Sequence, residues 1–519
     1  MVAVPRDADV VIVGAGAAGS TIAARLAEGG KRVVVLEAGP GWKLTDLASS
    51  QIWARRLKWG GAPVEFRGNH RGFGHNLNTG WGKGGAALHH YATWPRLTDD
   101  VFRVQSTFGR GRDWPFGGDE LRPWYDRVQS DIGVSGDAAR EPWRPAGASY
   151  PLPPQQLFAQ ARLLQRGWEA LGLPVAPLPA AILTADYRGR PACQYDGWCD
   201  AGCPTGALGN PLSTALPRAE AAGAQIVTGA MVTRIVPASG TRAGGVEWTD
   251  VKGASQRLDA GQIVLAGSAI QNPRLMLASA SREWPGGLGN ARDQVGRNFM
   301  LDAVALNYGM FAEETENYMG VSAGQLLNRA RYGERQDAPF GSWHWQIAPA
   351  LKPNDIFGIA VTRADLFGSA LHEFMAKAAR HMANQVAMIG QLPSPENRIV
   401  LSTQRDRYGV PLARVEHRFD DEAMELWRYV GEEGKRIMRA AGASESWIGP
   451  FNAGHLYGGT IMGNDPAISV AAVDTRVQGI DNVWLTGSGL FPASGGTSPT
   501  FTVVALAERT ASALLGDRL

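Results

Sequence analysis

Cysteine is scarce in this chain. Three residues among 519 are too few for a disulfide framework, and all three, Cys193, Cys199 and Cys203, fall within eleven positions. No apolar run reaches the roughly 20 residues that a membrane-spanning helix needs. No leader-like segment precedes the first apolar run near Asp9. The expectation is therefore a cytoplasmic chain, or one exported folded on a partner that carries the signal. Neither sign of charge dominates: 51 Lys and Arg face 49 Asp and Glu, for a net charge of +2. That balance argues against nucleic acid or an anionic membrane as a partner.

Glycine, in contrast, is abundant, at 65 residues. Without a repeat, such an excess points to many tight turns and close backbone approaches, as in a chain wrapped around a large cofactor. The first glycine cluster has a definite context. Asp9 to Val13 reads as a buried parallel strand, Gly14-Ala-Gly16-Ala-Ala-Gly19 follows, and Ser20 to Glu28 reads as a helix. Lys31 to Leu36 reads as a second strand that ends on Glu37, 18 residues after Gly19. Gly14 serves the tight turn, Gly16 the backbone contact with a pyrophosphate, and Gly19 the close packing of helix on sheet. The helix start offers free N–H groups to phosphate. Glu37 is placed to bind a ribose hydroxyl pair. The pattern predicts a dinucleotide site and does not choose the dinucleotide.

Three further segments follow: Gly80-Trp-Gly-Lys-Gly-Gly85-Ala-Ala-Leu-His89-His90, Ile263 to Leu275, and Val483 to Pro492 running into Thr500 and a final helix. Their order, together with Asp113-Trp-Pro-Phe and Thr228 to Arg234, resembles the glucose–methanol–choline (GMC) oxidoreductases over most of the chain. The resemblance implies an α/β fold. A Rossmann-like FAD-binding domain would be interleaved with a substrate domain on a large, mostly antiparallel sheet with helices. The expected boundaries are 1–299 and 449–519 for the FAD domain and 300–448 for the substrate domain. The 193–204 cysteine loop falls in the first, and parts of 45–75 and 150–192 are free to lie outside it. The form Glu37-Ala38-Gly39 favours FAD and adds Ala38 to its contacts. The resemblance also brings Gly84 and Gly85 to the flavin and its phosphates, Val232 to the adenine end, and Thr500 over the ring. His89 aligns with a histidine that some relatives bond covalently to flavin; packing or hydrogen bonding is the other reading.

Near the C-terminus stands His455-Leu-Tyr-Gly-Gly-Thr-Ile-Met-Gly463. An alcohol loses hydride only as its hydroxyl proton is taken, and neutral imidazole suits that task. In this motif His455 is expected to be the base. The family sets a second His or Asn 43 or 44 residues later. Here that position is Ser498, 43 residues on. The second role thus falls to Ser498, to a bridging water, or to a side chain such as Asn452.

The cysteines form a C-x5-C-x3-C-Pro run. Zinc and four-iron clusters each want four ligands, and no histidine lies between Trp168 and Asn298. Three cysteines alone suit a 3Fe-4S cluster, one thiolate per iron. The spacing resembles the iron–sulfur subgroup of glucose, gluconate, fructose and sorbitol dehydrogenase catalytic subunits, although Ala192 stands where that subgroup often has another cysteine. The implied partners are a small subunit and a cytochrome c acceptor, with a sugar, polyol or related alcohol as substrate. The competing readings are an oxidase with structural cysteines and, outside enzymes, a flavin-binding relay subunit. Trp343-His-Trp345 is open to two roles, a stacking platform for substrate or ordinary core.

Overall fold

The computed structural model describes residues 4–70 and 75–517. Its first sheet grows from the apolar strand Asp7–Val13, which pairs in parallel with Val33–Glu37 on one side and Ser255–Leu265 on the other. Gln225–Thr228 and Val483–Leu485 extend the parallel part, and the hairpin Met231–Ser239 with Arg242–Thr249 closes the sheet in antiparallel fashion. The helices Ala17–Glu28 and Thr500–Leu515 bury small residues in one core, Ala23, Ala27, Ala507 and Ala511 among them. Small side chains let these helices lie close to each other and to the sheet.

The second sheet is antiparallel throughout. Its order is Glu445–Ile448, Met300–Met310, Met382–Ile389, Trp343–Ile347, Leu326–Ala330 and Ala176–Pro177. Asn452–Tyr457 pairs with the far part of Met300–Met310. The amphipathic helix Asp421–Ala440, capped by the Asp420 carboxylate on Ala423 N at 2.8 Å, covers one face. It sets Leu426, Val430, Ile437 and Met438 into a core shared with Trp168, Phe311, Trp343 and Trp345. Gly434 lets helix and sheet meet, since a Cβ there would stand 2.4 Å from the Asn307 side chain. Trp343 and Trp345 are therefore core, which removes them as a substrate platform.

A third sheet consists of the hairpin Arg398–Arg405 and Pro411–His417 with Glu65–Gly68 alongside. The strand that carries His455 pairs into the second sheet, and so does Ala176–Pro177. Among the described residues no helix is long and apolar enough to cross a membrane.

Candidate active site

One cavity of about 1010 Å³ runs between the first two sheets. At one end its wall is the first glycine loop. Gly14 turns the chain at φ +106°, and a Cβ on Gly19 would stand 2.0 Å from Gly14 O. Helix Ala17–Glu28 starts at Gly16 with no side-chain cap and no acidic residue in its first turn, so its leading N–H groups keep their polarity for a ligand. Gly16 and Gly85 both line the cavity and face each other, because a Cβ on Gly85 would lie 2.9 Å from Gly16 Cα. Gly84 stands behind this wall and donates its N–H to Ala15 O at 3.0 Å. Ala38, Val232 and Thr500 line the same space.

Glu37 also lines the cavity, and its carboxylate is tied to the main chain. Oε2 accepts from Ala15 N at 2.8 Å, and Oε1 accepts from Gly39 N at 2.8 Å and Gly82 N at 3.0 Å. Burial raises its pKa, and the three amides work against that rise. Glu37 thus fastens three loops together, and Oε2 keeps a lone pair for a ribose hydroxyl.

Farther along, His89 and His90 enter the wall. Burial holds both neutral, lowering His89 to about 3 and His90 to about 4. His90 Nδ1 donates to Ala87 O at 2.7 Å. Nε2 of each ring and Thr93 Oγ1 are buried with no partner among the described residues.

His455 reaches the cavity through a local irregularity. Asn452–Tyr457 pairs in register with Met300–Met310 as far as Gly454 opposite Asp302, and resumes at Leu456 opposite Leu301. His455 is the extra residue, at φ +39°. Such a bulge re-aims a side chain, and positive φ outside glycine is strain that the surrounding pairing has to hold. The bulge sets His455 Nδ1 3.1 Å from Asp302 Oδ2, with Asp302 fully buried. Burial raises the Asp302 pKa, while His455 and Tyr457 work against it. Tyr457 Oη lies 2.8 Å from the same Asp302 oxygen and 2.5 Å from Thr497 O. This hydroxyl ties the histidine strand to the turn that carries Ser498. With Nδ1 turned to Asp302, Nε2 is the ring nitrogen left to serve as a base.

Ser498 and Asn452 line the same cavity as His455. Sequence reasoning missed Asp302, Gln346 and His344. The signal for Asp302 was a lone carboxylate in the apolar strand Met300–Met310. For the other two it was the alternation of large apolar and polar residues in Trp343–Ile347.

The cysteine loop reaches the cavity wall through Asp200. Lys58 Nζ lies 2.7 Å from Asp200 Oδ2, Lys352 Nζ lies 3.7 Å from Oδ1, and both lysines line the cavity. Burial alone would raise the Asp200 pKa, but the two lysines outweigh it and hold it low. Each sulfur accepts a backbone N–H: Cys193 from Tyr195 at 3.3 Å, Cys199 from Ser322 at 3.4 Å and Cys203 from Leu208 at 3.4 Å. Burial, then the neighbouring cysteines, pushes Cys193 up to about 11 and raises Cys199 as well. Among the described residues no three His, Cys, Asp or Glu side chains are placed to hold a single metal ion. The cysteines expected to hold a 3Fe-4S cluster thus do not meet around a single ion.

A dinucleotide-binding parallel sheet, an antiparallel sheet over a shared cavity and a strained histidine at the junction define a flavin-type oxidoreductase. The chain belongs to the GMC oxidoreductase family, whose N-terminal model matches residues 8–304 and whose C-terminal model matches 393–507. It is 29% identical to the fructose dehydrogenase large subunit of Gluconobacter japonicus, over 98% of each chain. It is also 29% identical to paromamine 6'-oxidase of Streptomyces fradiae, over 98% of this chain and 91% of that one. Among solved structures, pyridoxine 4-oxidase from Mesorbium loti matches with a TM-score of 0.70 at 17% identity, over 99% of this chain and 100% of that one. The protein is thus an FAD-dependent oxidoreductase acting on CH–OH donors. The cavity fits FAD on its own evidence, with bare backbone at Gly16 and Gly85 and unpartnered polar atoms on His89, His90 and Thr93.

Proposed function

We propose that the protein is a dehydrogenase that oxidises a CH–OH group of a sugar, polyol, glycoside or related alcohol and delivers the electrons to an external acceptor. Bound FAD supplies the hydride acceptor. His455 Nε2 takes the hydroxyl proton, and Asp302 keeps the ring oriented through Nδ1 and balances the charge that the ring gains. The half-buried setting of His455, with a carboxylate behind it, favours proton transfer without bulk water.

The observation that carries the dehydrogenase reading is the cysteine loop. Three sulfurs each accept a main-chain N–H in a segment pinned to the cavity wall by Lys58, Asp200 and Lys352. Amide donors stabilise thiolate sulfur and tune cluster potentials. Cys193, Cys199 and Cys203 would hold a 3Fe-4S cluster, which supplies one-electron transfer out of the protein. The fructose dehydrogenase relative is a large subunit, which supports a companion small subunit here, and the acceptor proposed with it is a cytochrome c.

The second reading is an oxidase using dioxygen, with structural cysteines. It is favoured by the equal identity to paromamine 6'-oxidase and by burial that keeps Cys193 and Cys199 protonated when no metal is bound. Iron and acid-labile sulfide per flavin, with an EPR spectrum of anaerobically prepared protein, separate the two. About three irons per FAD supports the dehydrogenase. No iron, together with peroxide formed from alcohols, supports the oxidase. Acid precipitation of the same sample decides the His89 bond: colour in the pellet means covalent flavin, and colour wholly in the supernatant excludes it.

A further inference from the structure

We infer that His344 and Gln346 are positioning residues which hold the Ser498 hydroxyl as a hydrogen-bond donor to the substrate oxygen, a reading that rests on His455 as the base. The argument follows from which atoms can donate. The Gly496 carbonyl lies 2.5 Å from His344 Nδ1, and a carbonyl can only accept. Nδ1 therefore carries the hydrogen. His344 is fully buried and neutral, its pKa lowered by burial to about 3, so its Nε2 is a bare acceptor. Gln346 Nε2 lies 3.2 Å from that nitrogen, which fixes the orientation of the amide. Its second N–H points to Ser498 Oγ at 3.3 Å. Ser498 thus accepts from Gln346, and its own hydrogen is left to donate. Since Ser498 lines the same cavity as His455, that donation goes to a ligand.

The fold makes this chain of bonds stiff. Trp343, Trp345 and Ile347 anchor one face of the strand in the core, so His344 and Gln346 are held on the other. Gly496, at φ +57°, lies directly on the sheet. A Cβ there would stand 2.5 Å from Ser342 O and 2.7 Å from Gly390 N. Only glycine lets the turn approach closely enough for its carbonyl to reach His344. The relay compensates for a short side chain where the family places His or Asn. A substrate hydroxyl can then give its proton to His455 while its oxygen accepts from Ser498. The charge that grows on that oxygen meets a donor already aimed at it.

The test begins with the flavin-loaded protein labelled with ¹⁵N-histidine. His344, assigned by its loss in H344F, is expected as the neutral Nδ1–H tautomer, unchanged from pH 8 to pH 5. An Nε2–H tautomer would reverse the polarity and overturn the inference. Rapid anaerobic flavin reduction by an alcohol then reads the function. S498A is expected to slow reduction on the order of 10²-fold. Q346L is expected to slow it about tenfold in the native background and less than twofold in S498A. Q346E keeps the shape but offers only acceptors, so it should turn the serine hydrogen back and fall to the S498A rate. An equal Q346L effect in both backgrounds, or a native rate in Q346E, would sink the relay. If no alcohol reduces the native flavin, the proposed function fails instead, and the tautomer still decides the bonding.

Discussion

At the glycine-loop end of the cavity the wall is main chain: Gly14, Gly16 and Gly85 present backbone, and Glu37 serves mainly to hold loops in place. At the His455 end the wall is side chains borne on the strands Met300–Met310, Trp343–Ile347 and Asn452–Tyr457. The two ends should fail differently. Adding atoms breaks the first, whereas removing or re-aiming polar atoms breaks the second. The largest effect is expected at Gly19. Gly19→Val would drive its Cβ to 2.0 Å from Gly14 O, and nothing in that turn can give way. The variant should bind no flavin and accumulate as aggregate, read as the ratio of absorbance at 450 nm to that at 280 nm (about zero). A soluble, yellow variant would show that the loop can relax.

The next effect belongs to the other end. His455→Ala should keep its flavin and its fold, yet slow reduction by alcohol on the order of 10³- to 10⁴-fold, the scale of a lost general base. Asp302→Asn keeps the size of the side chain but withdraws the charge behind the ring, and about 10- to 10²-fold is expected. Flavin content is the control that separates the two ends: it should collapse in Gly19→Val and stay full in His455→Ala. A His455→Ala enzyme that reduces at the native rate would move the base elsewhere.

The same contrast explains what could be read before the structure. Glycines report the glycine-loop end because their spacing mirrors strand, turn and helix, and some are required by a contact that a Cβ would fill. Gly14 and Gly19 show this directly. His455 was legible because its motif is contiguous. Asp302 was not, since it is brought to His455 by strand pairing across 153 residues and by a bulge that no local pattern encodes. His344 and Gln346 carry the polar half of the alternation in Trp343–Ile347, but nothing local says that this face meets Gly496 and Ser498, about 150 residues on. The pairing of Asn452–Tyr457 with Met300–Met310 is hidden from any local pattern in the same way.

Two buried rings make a pH-dependent prediction. Burial lowers His344 and His417 to about 3, so both stay neutral in the fold. In the unfolded chain they charge below about 6.5. Between these values the unfolded state binds more protons, so the stability present above pH 6.5 is lost as pH falls. Each ring contributes up to about 1.4 kcal/mol per pH unit below pH 6, or roughly 2.7 for the two. Urea unfolding of the flavin-loaded protein from pH 7.5 to pH 5 measures it. Substituting His417 by Gln, which keeps a donor for Gln391, should remove that ring's share, up to about 1.4 kcal/mol per pH unit, from a slope to which the buried His89 and His90 also contribute. An unchanged slope would place the proton uptake on other groups.

The smallest effect sharpens the difference between the two faces of one strand. Trp345 points into the core, where its Nε1–H donates to Glu433 Oε2 at 3.2 Å, while Gln346, the next residue, faces the cavity. Trp345→Phe removes that donor, but Glu433 keeps Arg335 at 2.7 Å, so its carboxylate is not stranded. The cost should be about 1–2 kcal/mol of stability from the lost bond and the volume left behind. Because the strand backbone is paired on both sides, Gln346 should not move, and the rate of flavin reduction should stay within a factor of two. A large loss of rate with a small loss of stability would mean that the core face sets the geometry of the cavity face. The positioning of Ser498 would then extend through the sheet to the helix Asp421–Ala440 behind it.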